Sequence, residues 1–159
     1  MPETPIVPLR SEFLVQFDIE ASPPNELGIT PVGRRRVVYV TGGRFHGPRL
    51  NGAFVAGGGD MALVRSDGVF EADVRLLLRT DDDALIHVTY RGIWHAKPGV
   101  LERVLRREEG VDPNDHALRT AVFFETADAR YLWLNTVLGV GMGVPRGGGG
   151  ISYQIHQII

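Results

Sequence analysis

"VFEADVRLLLRTDDDALIHVTYRGIWH", residues 69–95, is two runs of alternating apolar and polar residues joined by three aspartates. Alternation with period two marks a half-buried strand, so the stretch reads as a β-hairpin. The turn length decides which residues share a face, because a slip of one residue turns a whole strand over. With Asp81, Asp82 and Asp83 all in the turn, Leu78 faces Ile86, Leu76 faces Val88 and Val74 faces Tyr90, and one face is almost wholly apolar. The other face then pairs Asp73 with Arg91 and Arg75 with Thr89. A two-residue turn would put charge on both faces, so the three-residue turn is expected, with Asp83 in the left-handed conformation its last position requires.

Working outward, "SEFLVQFDIE" (11–20) alternates in the same way, with Phe13, Val15 and Phe17 on one side. "ASPPNELGITPVG" (21–33), with three prolines, reads as a surface loop. Further strands are expected at 35–43, 50–58, 60–66, 121–126, 131–140 and 151–158, each bounded by turn residues. One helix is expected, opened by Pro98, carrying Val100, Leu101, Val104 and Leu105 as its apolar stripe, and ended by Gly110. So many strands around one helix cannot form alternating strand-helix-strand units. The expected fold is all-β, an antiparallel β-barrel of about eight to ten strands with one short helix, since closure removes exposed edges. A two-sheet sandwich is the alternative. A chain of 159 residues suits one domain, here 1–159.

The glycine-rich stretch "GGRFHGPRLNGAFVAGGGD" (42–60) raises the possibility of a phosphate loop. Such a loop needs lysine and then Ser or Thr after its last glycine, and Pro48 and Arg49 stand there instead. "GVGMGV" (139–144) misses the dinucleotide fingerprint, its third glycine arriving one residue early. Glycines inside strands otherwise mark bulges, corners and close backbone approaches, and that is the role expected, with a rim where substrate meets main-chain amides as the alternative.

Composition excludes several functions. A net charge of −2 offers no global attraction to nucleic acid, and the run Arg34, Arg35, Arg36 is expected at a solvated strand start. Cysteine is absent, so disulfides and thiolate chemistry are excluded. No apolar run approaches the ~20 residues of a membrane helix, and "MPETPIVPLR" lacks the pattern of a secretion signal, so neither a membrane nor export is expected and the location inferred is cytoplasmic. Histidines 46, 87, 95, 116 and 156 show no close pair at ligand spacing, so no metal is expected, and no cofactor is implied. A serine-nucleophile elbow is also missing.

The stretches "TGGRFHGPRLNGAFVAGGGD", "RSDGVFEADVRLLLRTDDDALIHVTYRG", "FFETADARYLWLN" and "GVGMGVPRGGGGISYQI" resemble, in that order, the signatures of the bacterial domain-of-unknown-function 3237 family. The resemblance runs from about residue 11 to 158 and implies an antiparallel barrel related in architecture to allene oxide cyclase. Three places depart from the family's pattern: Met61 stands where tryptophan is usual, Asp83 replaces a turn glycine, and Ala117 to Thr120 replace Tyr-Phe-Arg-Thr.

In a small barrel the few polar side chains aimed inward do the binding or acid-base work. Tyr90, on the apolar face of the hairpin, is a candidate acid or oxyanion donor, or a core tyrosine. Asp60 is a candidate catalytic carboxylate or a turn brace. Glu125 is the best candidate base if an odd-length turn at "ADAR" turns it inward beside Tyr131, Trp133 and Asn135; an even turn leaves it outside. Trp133 and Asn135 share a face in the strand expected there, a stacking surface beside an amide that binds either a polar ligand or the backbone. Arg75 belongs to a surface ladder unless the hairpin is inverted, in which case it anchors a carboxylate and His87 becomes a base. The expected function is a cofactor-independent acid-base enzyme of isomerase, cyclase or lyase type, acting on a modest-sized organic metabolite. The alternatives are a non-catalytic binder of a small apolar or aromatic ligand, and a purely structural barrel. A homodimer is a possible assembly.

Overall fold

The central hairpin has the predicted register. In the computed structural model, which describes residues 5–159, strands β6 (Phe70–Thr80) and β7 (Leu85–Ala96) pair Val74 with Tyr90, Leu76 with Val88 and Leu78 with Ile86. Asp83 takes the left-handed conformation at φ 70°. Thr80 fixes the turn: its hydroxyl accepts the Ala84 amide at 2.8 Å and donates to Asp82.

Around this hairpin stand β1 (Ser11–Ala21), β2 (Asn25–Thr30), β3 (Gly33–His46), β4 (Gly52–Asp60), the two-residue β5 (Leu63–Val64), β8 (His116–Glu125), β9 (Leu138–Arg146) and β10 (Gly150–Ile158). The sheet runs β1-β10-β9-β8-β7-β6-β4-β3, and β3 then pairs with β1, from Gln16 opposite His46 to Ala21 opposite Val40, closing an eight-stranded antiparallel barrel. Two strands lie off this circuit: β2 lies on β3, and β5 bridges β3 and β6. The segment expected as a loop at 21–33 therefore carries a strand. Its backbone is satisfied by β3, so prolines at its start do not stop pairing further on, although Leu27 and Ile29 stay exposed.

The glycines of the 42–60 stretch serve the backbone. At Gly43 a side chain would collide with the carbonyl of Asp18 on β1, and Gly57, Gly58 and Gly59 all have positive φ where β4 slips its register against β6. Such a bulge bends the strand around the barrel.

The helix α1 (Val100–Leu105) is a short cap over the end of the barrel where β7 finishes, burying Val100, Leu101 and Val104. In the opposite half, Phe17, Phe45 and Phe54 pack edge to face with ring centroids 5.1 to 6.2 Å apart. With Leu76, Leu78, Ile86 and Val88 they fill that half completely. The open space lies between this plug and α1.

The expectation of a strand over 131–140 is corrected by the structure. Residues Leu132–Thr136 form a turn of 3-10 helix, and the strand begins only at Leu138. Asp128 decides this: its side chain accepts the Arg130 amide at 3.0 Å and its carbonyl accepts the Tyr131 amide at 2.9 Å. Local turns made by aspartate compete with ladder pairing, and here they also let Leu134 bury completely.

Candidate functional site

A cavity of about 180 Å³ lies beneath α1, with walls of Val38, Val40, Val74, Trp94, Leu118 and Ile151. That is comparable to the ~150 Å³ apolar cavity known to accept a benzene-sized ring. Arg36, Asp60, Tyr90 and Tyr153 are polar side chains deep in its lining, and Ser22, Arg107 and Arg146 also border it.

Each reaches the cavity through strand alternation. Asp60 ends β4 opposite Val74, and Val74 lies opposite Tyr90, so the carboxylate and the phenol stand in one row, two strands and about 10 Å apart at the backbone. Tyr153 follows the same logic on β10, between inward Ile151 and Ile155. It has room because Gly143 sits opposite: a Cβ there would crowd both its ring and the Leu118 side chain. The rings of Tyr90 and Tyr153 meet across the barrel, centroids 5.2 Å apart.

Arg36 lies on β3 two residues from Val38, the partner of Asp60. Its side chain is only 8% exposed, and its Nε donates to Glu26 Oε1 of β2 at 2.6 Å. The expectation of a solvated arginine run at 34–36 therefore fails at Arg36. Strand β2 covers the strand start and supplies the carboxylate that makes burial of a guanidinium tolerable.

Environment divides these groups into two kinds. Burial pushes the Asp60 carboxyl up to about 6, against the pull of the Asp73 amide, which donates to Oδ1 at 2.9 Å, and of Arg36 and Arg35. Burial also pushes both phenols above their usual range, Tyr90 well above it, and each is raised further by the nearby Asp60 charge. The phenols therefore stay protonated and act as hydrogen-bond donors, while Asp60 exchanges its proton near neutrality.

Of the residues singled out from the sequence, Tyr90 and Asp60 come together here. The others do not. Glu125 is exposed on the outer surface opposite His87, the face the even-length turn would give it, although the chain makes a 3-10 turn there and neither hairpin forms. It faces away from the cavity. Glu125→Gln is expected to change ligand affinity and turnover by no more than about twofold, the factor carried by ~0.5 kcal/mol at a neutral surface site; a larger loss measured in either would move the site to the outer face.

Arg75 is on the outside as well, ion-paired to Asp73 at 3.0 Å, and with His87 also outward the inverted hairpin does not occur. Trp133 belongs to the 3-10 turn rather than a strand and lies under the Arg49 guanidinium, 3.7 Å from the ring centroid. Asn135 is occupied by the backbone: it accepts the Thr126 amide at 2.8 Å and donates to the Thr126 carbonyl at 2.9 Å. The surface reading of Arg75 and the backbone reading of Asn135 therefore hold, while the strand face expected for Trp133 and the ligand roles of all three do not, because turn chemistry and the observed register prevail. Arg36 and Tyr153 escaped the sequence reading; the alternation Ile151, Tyr153, Ile155 was the available signal for the second. Among the described residues no cluster of three His, Asp or Glu side chains is arranged to hold a metal ion.

Comparison with known proteins places these features in context. The family model described as "Protein of unknown function (DUF3237)" matches residues 9–158. A UPF0311 protein from Clostridium acetobutylicum is 37% identical over 103 residues, a match spanning 65% of this chain and 65% of that protein. A crystal structure of a β-barrel-like protein from Acinetobacter baumannii superposes with a TM-score of 0.83 at 32% identity, covering 99% of this chain and all of that one. The hydroalkoxylation enzyme phnH of Penicillium herquei is 28% identical over 134 residues, 84% of this chain and 74% of its own length.

Proposed function

Given that the chain belongs to the DUF3237 family, we propose that it is a cofactor-independent acid-base enzyme whose reaction takes place between Asp60 and the Tyr90–Tyr153 pair. One observation carries this reading: a carboxyl raised to about 6 shares a largely apolar cavity with two phenols held protonated. Titratable groups pushed apart in this way are the usual division of labour between base and acid. The likeness to a hydroalkoxylation enzyme supports the same chemistry.

Addition of a hydroxyl across a carbon–carbon double bond within one molecule needs no outside reactant. One proton leaves the hydroxyl, the oxygen bonds to one alkene carbon, and one proton arrives at the other carbon, so substrate and product have the same formula. Asp60 takes the hydroxyl proton. Tyr90 and Tyr153 donate hydrogen bonds to the oxygen that carries negative charge, and the protonated carboxyl returns the proton to carbon. The aliphatic and Trp94 walls exclude water that would otherwise compete for the same carbon.

The test offers ortho-alkenyl phenols as a panel and follows conversion to cyclic ethers of unchanged mass by chiral chromatography. Conversion by the wild type that is lost in Asp60→Asn supports the reading. Conversion that persists in the variant overturns the role of Asp60, and ligands that occupy the cavity without any conversion leave a binding protein in place of an enzyme.

A further inference from the structure

We propose that the ligand of this cavity is a compact carboxylate, held by the two terminal nitrogens of Arg36. The proposal names the ligand class of the same site and rests on reading that cavity as the place where ligand binds.

Arg36 is a buried guanidinium with most of its hydrogen-bonding capacity unused. Its side chain is 8% exposed and lines the cavity. Among the described residues its hydrogen bond is the one from Nε to Glu26, and neither terminal nitrogen makes another. Glu26 is itself shared, since Arg34 Nε lies 3.5 Å from its second oxygen while Arg34 Nη1 reaches Glu102 of α1 at 3.1 Å. One carboxylate therefore serves two guanidiniums on the outer side of Arg36, and its inner side remains a planar fork of N–H donors. A fork of that shape matches the two oxygens of a carboxylate. Thr120 Oγ1 is the one fully buried side-chain polar atom left without a partner among the described residues, so the Arg36 terminal nitrogens keep access to the cavity, and a ligand carboxylate would replace water there.

The remaining charges at the cavity agree. Arg107 and Arg146 line its mouth. Arg107 is held close over Gly149, where a side chain would collide with its guanidinium, and Arg146 lies 4.0 Å from Asp18. The one acid on the wall is Asp60, which burial brings to about 6. Glu26 and Asp18 stand against Arg36 and Arg146 from outside the wall, while Arg107 has no carboxylate partner among the described residues.

The test compares trans-cinnamate with its neutral isostere cinnamamide by isothermal titration at pH 8, on wild type, Arg36→Gln, Arg36→Lys and the surface control Arg44→Gln. The expected result is that cinnamate binds wild type and the control at least about tenfold more tightly than the amide. Arg36→Gln should abolish that preference while leaving the amide nearly unchanged, and Arg36→Lys, which keeps the charge and loses the fork, should fall between. Equal binding of acid and amide, binding of neither, or a preference that survives Arg36→Gln overturns the proposal. Should Arg36→Gln fail to fold, the lysine variant decides, since full cinnamate affinity there rules out bidentate capture. None of these outcomes bears on Asp60, whose role stands or falls with conversion of the alkenyl phenols.

Discussion

Asp60→Asn is expected to give a protein that is more stable and less active. A carboxyl moved from 3.8 to about 6 on folding binds more protons folded than unfolded between those values. Stability therefore declines as pH rises through that window, and the ionised group is a liability above it. Two units correspond to about 3 kcal/mol. Asparagine keeps an oxygen for the Asp73 amide and carries no charge to desolvate. At pH 8 the melting temperature of the variant should exceed that of the wild type by about 5–10 °C, given the size of the chain. At pH 3 the two should coincide, because the wild-type group is then neutral folded and largely neutral unfolded. Turnover should drop by about 10²- to 10⁴-fold, the contribution of a positioned base. Calorimetry at the two pH values checks the first part, and a variant no more stable than wild type at pH 8 would show that Asp60 is not desolvated.

The second large effect belongs to the plug. Phe17 is fully buried and packs edge to face on both Phe45 and Phe54. Phe17→Ala should cost about 3–5 kcal/mol, through lost apolar burial and the cavity left behind. That is a large share of the 5–15 kcal/mol by which domains are typically stable. Phe17 also lies opposite Tyr153 on β10, so the void opens beneath the phenol pair and deepens the ligand cavity. Urea denaturation should show a lower midpoint at unchanged slope. A loss below about 1 kcal/mol would mean that the half of the barrel away from α1 is loosely filled, and that the cavity has no fixed floor.

The pairing of β6 with β7 was legible because it is local: a three-residue turn and two alternating runs admit one register that separates apolar from charged side chains. The barrel class was legible for a related reason, since many short strands with one helix leave few ways to protect sheet edges. Tyr90 and Asp60 were identified from face and position in the chain. Glu125 shows where that reasoning ends. Its face depended on the turn after β8, and there Asp128 binds the Arg130 amide and starts a 3-10 turn in place of a hairpin. Asn135 reads as an anomaly only in a strand; in that turn it is an ordinary brace for Thr126.

What the order of residues settles without coordinates is which side chains stand together along a strand and across a tight turn, because both follow from backbone geometry over a few residues. Where those faces meet depends on contacts between segments far apart in the chain. Tyr153 reaches Tyr90 because β1, β10 and β3 close the circuit, and Arg36 is buried because β2 folds over it with Glu26. Burial then sets the chemistry, raising the Asp60 carboxyl and leaving a guanidinium with unused donors, and burial belongs to the closed barrel rather than to any one strand.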